Sequence, residues 1–249
     1  MSAVRAVVFD LGHTLWDFAP REDERRLVVL RLHARLEGAL GGEIASPRKL
    51  DRALGLALEG WMQDWSSDRL EQPPTEQLVR EAFALLELDV PEPLLRELTA
   101  LAFGADVDLP VVEPDTLATI ATLQTQGVAM GCVTNTVLLE AGIFETLRRL
   151  GLHQYLDSVV VSSAMSYRKP HASLFQRALD ELGVAPHETV FVGDRLVDDV
   201  GGAQAVGMRG VLTHQNRQEP LDGARVQPDA VIQRLSGLPH AIERFEAST

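Results

Sequence analysis

The sequence predicts an α/β protein: a parallel sheet with helices on both faces, interrupted after its first strand by an all-helical segment. Three observations predict it. From residue 111 onward, strand-like and helix-like runs alternate along the chain. The strands are apolar throughout rather than at every second residue, the pattern of strands buried on both faces. Between about residues 20 and 104 the apolar residues recur only at helical spacing.

Taken in order, residues 4–10 form a buried strand ending at Asp10. Four amphipathic segments follow: ERRLVVLRLHARLEGAL, PRKLDRALGLALEGWMQDW, TEQLVREAFALLEL and PEPLLRELTALAF. Gly, Pro and Ser punctuate them. Trp61 and Trp65 lie four apart on one helix face and are expected to pack inside this module. DTLATIATLQTQG is a helix stopping at Gly127, VAMGCVT a strand, TVLLEAGIFETLRRLG a helix and SVVVS a short strand. HASLFQRALDELG is a helix stopping at Gly183, ETVFVGD a strand and DDVGGAQAVG a helix. RGVLTH and PDAVI are strands, and LPHAIERF closes the chain as a helix. With 249 residues and 45% hydrophobic content, the chain can bury one large core beside a smaller module. The expected division is a core of residues 1–17 and 111–249 and a helical module of residues 18–110.

The net charge of −13 argues against a nucleic-acid partner, because it offers nothing to neutralise a row of phosphates. Cys132 is the single cysteine, so no intrachain disulfide is expected, and its apolar context VAMGCVT reads as a small buried residue. The first residues show no secretory pattern, and no apolar run reaches the roughly 20 residues of a membrane span. A cytoplasmic protein with no membrane partner is expected. Positive charge comes from 21 Arg and only two Lys, Lys49 and Lys169. A lysine in a motif therefore carries weight, since the two cations are not interchangeable.

In parallel α/β sheets, ligands bind outside the carboxyl ends of the strands. Those ends carry Asp10, Thr134 with Asn135, and Asp194, with Asp198 and Asp199 just beyond; a loop brings Lys169-Pro170. Taken alone, Asp194 reads equally as a helix cap and RKP as a surface dipeptide. Together they suit phosphoryl transfer through an aspartyl-phosphate. Asp10 would be the nucleophile, and Lys169 would bridge it to the phosphate. Thr134 and nearby backbone N–H groups would hold phosphoryl oxygens. An oxygen-only Mg²⁺ site would form from Asp10, the Gly12 carbonyl and Asp194, with Asp199 acting through a water. Pro170 would hold Lys169 extended and open the next helix.

VFDLGHTL, CVTN, RKP and VGDRLVDD resemble the four motifs of the haloacid dehalogenase superfamily, and the likeness runs through the whole chain. It implies a Rossmann-like core, a helical cap inserted after the first motif, and Mg²⁺-dependent hydrolysis of small phosphorylated metabolites. It adds Asn135 to the phosphate-binding set, and Asp17 matches an acid common in that stretch. Phosphatases of this family carry a second Asp two residues after the nucleophile as general acid and base. Gly12 stands there instead, which implies weakened or altered acid catalysis. His13 is the candidate substitute, although adjacent residues usually face different ways, and the reading favoured from sequence turns it away from the site.

Three rivals remain. Haloacid dehalogenases also lack the second Asp but need no metal and typically lack the Gly-Asp pair of VGDRLVDD. Phosphonatases use a cap lysine, for which Lys49 is the one candidate. A degenerate member would bind a phosphorylated ligand without turnover. Trp16, Phe18, Trp61 and Trp65 are the aromatic candidates for lining the substrate pocket. Signatures of serine hydrolases, P-loop proteins and zinc peptidases are absent.

Overall fold

The computed structural model describes residues 3–19, 22–41, 44–65, 69–104 and 109–247, with the side chains of residues 22, 64, 65 and 109 excepted. Strand β1 (Ala6–Phe9) ends at Asp10, and a two-stranded antiparallel ribbon, β2 (Asp17–Ala19) with β3 (Leu109–Val111), leads out to four helices and back. The helices are α1 (Glu22–Leu40), α2 (Pro47–Trp65), α3 (Thr75–Ala84) and α4 (Glu92–Phe103). Strand and helix then alternate through α5 (Pro114–Thr125), β4 (Ala129–Thr134), α6 (Glu140–Arg149), β5 (Ser158–Val161) and α7 (Ala172–Leu182). After β6 (Thr189–Gly193) a π-helical turn at Leu196–Gly201 runs into α8 (Gly202–Ala205), followed by β7 (Arg209–Thr213), β8 (Ala230–Ile232) and α9 (Leu238–Ala247).

Six strands pair in parallel in the order β5-β4-β1-β6-β7-β8. Counting only these strands along the chain, the order is 3-2-1-4-5-6, the doubly wound arrangement of a Rossmann-like sheet. Alternation along each strand divides the core between two faces. Val7 and Phe9 of β1 join Ile120, Leu123, Leu147 and Leu238 on one side, while Val8 joins Leu174, Phe175 and Ala203 on the other. Both sets are fully buried, which is why these strands read as continuous apolar runs. The four inserted helices bury their own set, including Leu32, Leu36, Val79, Phe83, Leu95 and Leu98. Among the described residues, no helix is long and apolar enough to cross a membrane.

Several local expectations change. The β2–β3 ribbon went unread because three-residue strands are too short to show a period. Helix α6 begins only at Glu140, and the segment DDVGGAQAVG opens as the π-helical turn. Pro170 does not open α7: that helix starts at Ala172 with His171 as its N-cap, and the Lys169–Pro170 peptide is cis. Trp61 packs inside the helical module against Ala53, Ala57 and Leu78, and its indole N–H donates to Glu81 Oε2 at 2.8 Å. The Trp65 side chain lies outside the described residues. Cys132 is fully buried, and burial pushes its thiol pKa up.

Candidate active site

The sheet order places β4, β1 and β6 side by side, so Thr134, Asp10 and Asp194 leave three neighbouring strand ends at the point where the winding reverses. Lys169 Nζ donates to Asp10 Oδ1 at 2.5 Å and to Asp199 Oδ1 at 2.7 Å. Carboxylate oxygens of Asp10, Asp194 and Asp199 all lie within 4.8 Å of one another. The Gly193-Asp194 pair has a steric reason. A Cβ at position 193 would lie 2.3 Å from the Asp199 carboxyl carbon, so only glycine lets Asp199 pack under the end of β6. Asp199 is then fixed further, its Oδ2 accepting the Arg195 backbone N–H at 2.9 Å.

Lys169 is held from several sides. Its backbone N–H donates to Asn135 Oδ1 at 2.7 Å, and the Asn135 amide donates back to the Lys169 carbonyl at 3.1 Å. The segment between α2 and α3 runs along the same loop. Gln72 N–H donates to the Ser166 carbonyl at 2.9 Å and Arg168 N–H to the Leu70 carbonyl at 3.0 Å. The buried Arg168 guanidinium donates to the Arg69 carbonyl at 2.6 Å. The helical module is thus tied directly to the loop that carries the ammonium.

Burial dominates the electrostatics. It raises the Asp10 carboxyl from 3.8 to about 6, against the opposing pull of Lys169 and with Asp199 adding to the rise. Burial, then Asp199 and Asp10, raise Asp194 from 3.8 to about 7, although Arg217 Nη1 donates to its Oδ2 at 2.7 Å. Burial and Asp199 also raise Asp198. For Lys169, burial alone would lower the pKa, but Asp10 and Asp199 outweigh it and hold the ammonium charged. Three clustered acids with one enclosed ammonium leave excess negative charge.

These residues floor a cavity of about 530 Å³ that also meets His13, Trp16 and Phe18. His13 therefore does not turn away, contrary to the reading favoured from sequence. Its backbone is left-handed, φ 59°, and its Nδ1 pairs with Asp17 Oδ1 at 2.8 Å, which swings the ring to the cavity wall. Burial, then the Arg217 charge, hold the imidazole below its ordinary 6.5 against the effect of Asp17. Phe18 meets the His13 ring edge to face at 5.3 Å and lies against Gly12, where a Cβ would come within 3.1 Å of the phenyl ring. A larger cavity of about 1370 Å³ lies between α2, α3 and residues 166–167, and none of the strand-end residues lines it.

A profile of the haloacid dehalogenase-like hydrolases matches residues 4–207. The chain belongs to that family. It is 28% identical over 221 residues to a glyceraldehyde 3-phosphate phosphatase of Methanopyrus kandleri, covering 88% of each chain. Its structure is similar to a haloacid dehalogenase family phosphatase from Thermococcus onnurineus, with a TM-score of 0.58, 27% identity, and 95% and 96% of the two chains covered. It is also similar to a 2-haloacid dehalogenase from Pseudomonas syringae pv. Tomato DC3000, with a TM-score of 0.66, 25% identity, and 97% and 99% covered.

In this hydrolase the strand-end motifs converge as their spacing suggested: Asp10, Thr134, Asn135, Lys169, Asp194 and Asp199 line one cavity. Asp199 stands in the carboxylate cluster itself, and both ends of the Asn135 side-chain amide engage the Lys169 backbone. Of the aromatic candidates, Trp16 and Phe18 line this cavity, whereas Trp61 lines the larger one. Arg195 and Asp198 of VGDRLVDD also line it, as does Arg217, which no motif marks. The one available signal was its position just past the β7 strand end.

Proposed function

We propose that this hydrolase cleaves phosphate monoesters of small metabolites through a covalent phosphate on Asp10. The observation that carries the reading is the Lys169 ammonium bridging Asp10 and Asp199 beside Asp194. The name of the Methanopyrus kandleri relative supports phosphatase chemistry.

The donor set fits Mg²⁺. It is all oxygen and carries surplus negative charge, and burial, with the neighbouring acids adding to it, raises two of its carboxyls to about 6 and about 7. Asp10, Asp194 and Asp199, with the Gly12 carbonyl, would hold the ion. When bound, it supplies the positive charge that lets a carboxylate approach a phosphate dianion.

Lys169 orients Asp10 by one oxygen and leaves the other to attack phosphorus. Thr134 and the backbone N–H groups after β4 receive phosphoryl oxygens, while Asn135 keeps the Lys169 loop in register. A bond forms between an Asp10 oxygen and phosphorus, and the ester P–O bond breaks. Water then releases phosphate and regenerates Asp10. Gly12 brings no acid to the leaving oxygen. In its imidazolium form His13, with Nδ1–H held by Asp17, would donate the Nε2 proton to that oxygen and be left as the neutral imidazole that its lowered pKa favours.

Phosphate release from a panel of phosphorylated metabolites, with Mg²⁺ and with chelator, tests the reading beside chloride release from 2-haloacids. Mg²⁺-dependent phosphate release that vanishes in Asp10→Asn is expected. Chloride release without phosphate release would assign the site to dehalogenation.

A further inference from the structure

We infer that the leaving-group end of this cavity is built for an apolar alcohol, so that preferred substrates are phosphate monoesters of alkyl or aryl groups rather than polyols. The inference rests on the phosphatase reading and names its substrate class. Among the described residues, the helical module contributes Leu58, Met62, Ala102 and Phe103 to the cavity, with no donor, acceptor or charge among them. Phe18 of the β2–β3 ribbon and Leu138 of the core continue this wall.

The charged side chains of the floor already have partners. Lys169 serves Asp10 and Asp199, Arg217 serves Asp194, Arg195 lies 3.5 Å from Asp198, and His13 pairs with Asp17. The Asn135 amide is committed to the Lys169 backbone. A polyol entering this end would shed water from its hydroxyls, and the wall of Leu58, Met62, Ala102, Phe103, Phe18 and Leu138 offers them no side-chain partner, which is unfavourable. An alkyl or aryl group loses nothing and covers Met62 and Phe18, which are 51% and 36% exposed. Phe18 cannot withdraw toward the core, because it already lies against Gly12 and the edge of His13.

Linear alkyl monophosphates from propyl to hexyl test this with leaving-group basicity held constant. Each buried methylene should raise kcat/KM about fourfold, until the cavity is filled. Glycerol phosphate should fall below propyl phosphate. Acetyl phosphate serves as the control for chemistry, because its leaving group needs no acid. Turnover of acetyl phosphate with a flat or falling alkyl series overturns the apolar subsite while the phosphatase reading stands. With Mg²⁺ present, no turnover of any of these esters overturns both. Met62→Gln should lower the hexyl-to-propyl ratio about threefold. That ratio is internal to the active fraction, so partial misfolding does not move it, and an unchanged ratio removes Met62 from the subsite.

Discussion

The raised carboxyls make the metal-free protein's stability depend on pH in a direction opposite to ordinary acid denaturation. Asp194 has its pKa raised from 3.8 to about 7, so between those values the folded chain binds a proton that the unfolded chain releases. Stability therefore falls as pH rises through that window. The cost is complete above about pH 7 and absent below about pH 4. At about 1.4 kcal/mol per pH unit of displacement, the Asp194 contribution is about 4 kcal/mol, and the same arithmetic gives about 3 kcal/mol for Asp10, raised to about 6. The two overlap, because Asp199 raises both carboxyls and Asp10 adds to the rise of Asp194, so a combined figure nearer 4 to 5 kcal/mol is expected. Lys169, whose pKa is held above 10.5, contributes stability that is constant across this window and does not alter the slope.

Asp194→Asn isolates the effect. Below about pH 5 both proteins carry a neutral group at position 194, and their melting temperatures should agree within a few degrees. By pH 8, in chelator, the variant should melt higher by about 8–12 °C, taking about 3 °C per kcal/mol for a chain of this size. Millimolar Mg²⁺ should close the gap by stabilising the wild type alone, because the ion replaces the proton as the compensating charge. Differential scanning calorimetry from pH 5 to 8, with chelator and with Mg²⁺, reads all of this. A difference between the two proteins that is independent of pH, or a wild type indifferent to Mg²⁺, would refute the account of an uncompensated acid cluster.

Three further outcomes follow from the same geometry. Gly12→Asp alone should not speed alkyl esters, because the new Cβ meets Phe18 at 3.1 Å; paired with Phe18→Ala it should raise kcat at least about tenfold, and equal single and double variants would remove Phe18 as the obstruction. His13→Ala should slow alkyl phosphates by about 10²-fold and acetyl phosphate only a few-fold, with Asp17→Asn showing a weaker form of that profile; a uniform loss would assign the pair to structure. Gly193→Ala should displace the Asp199 carboxylate, since its Cβ would fall 2.3 Å from the carboxyl carbon; Mg²⁺ titration followed by melting temperature should show at least about tenfold weaker binding in a folded protein.

What the sequence revealed of this site, and what it hid, divides along one physical line. Asp10, Thr134 and Asp194 were legible because a buried strand fixes both its own path and the point where it stops. A polar residue at that stop is placed by the sheet, and the sheet is written in short apolar runs bounded by turn residues. Lys169 was legible for a related reason, as one of two lysines in a chain that otherwise uses arginine. His13, Phe18 and Arg217 depend on turns and on a long loop, where direction is set by single backbone angles. His13 has a left-handed φ and lines the cavity, and no period in the sequence encodes that placement. The helical module shows the same division. Its four helices followed from their spacing, but the cavity wall draws on Leu58, Met62 and Phe103, which differ in no visible way from the apolar residues of its own interior. Which apolar residue packs and which meets substrate is decided by how the module rests on the core, and contacts such as Gln72 to Ser166 and Arg168 to Arg69 set that. On the proposed reading, specificity follows the docking geometry, which no spacing records, and chemistry follows the strand ends, which the apolar runs mark.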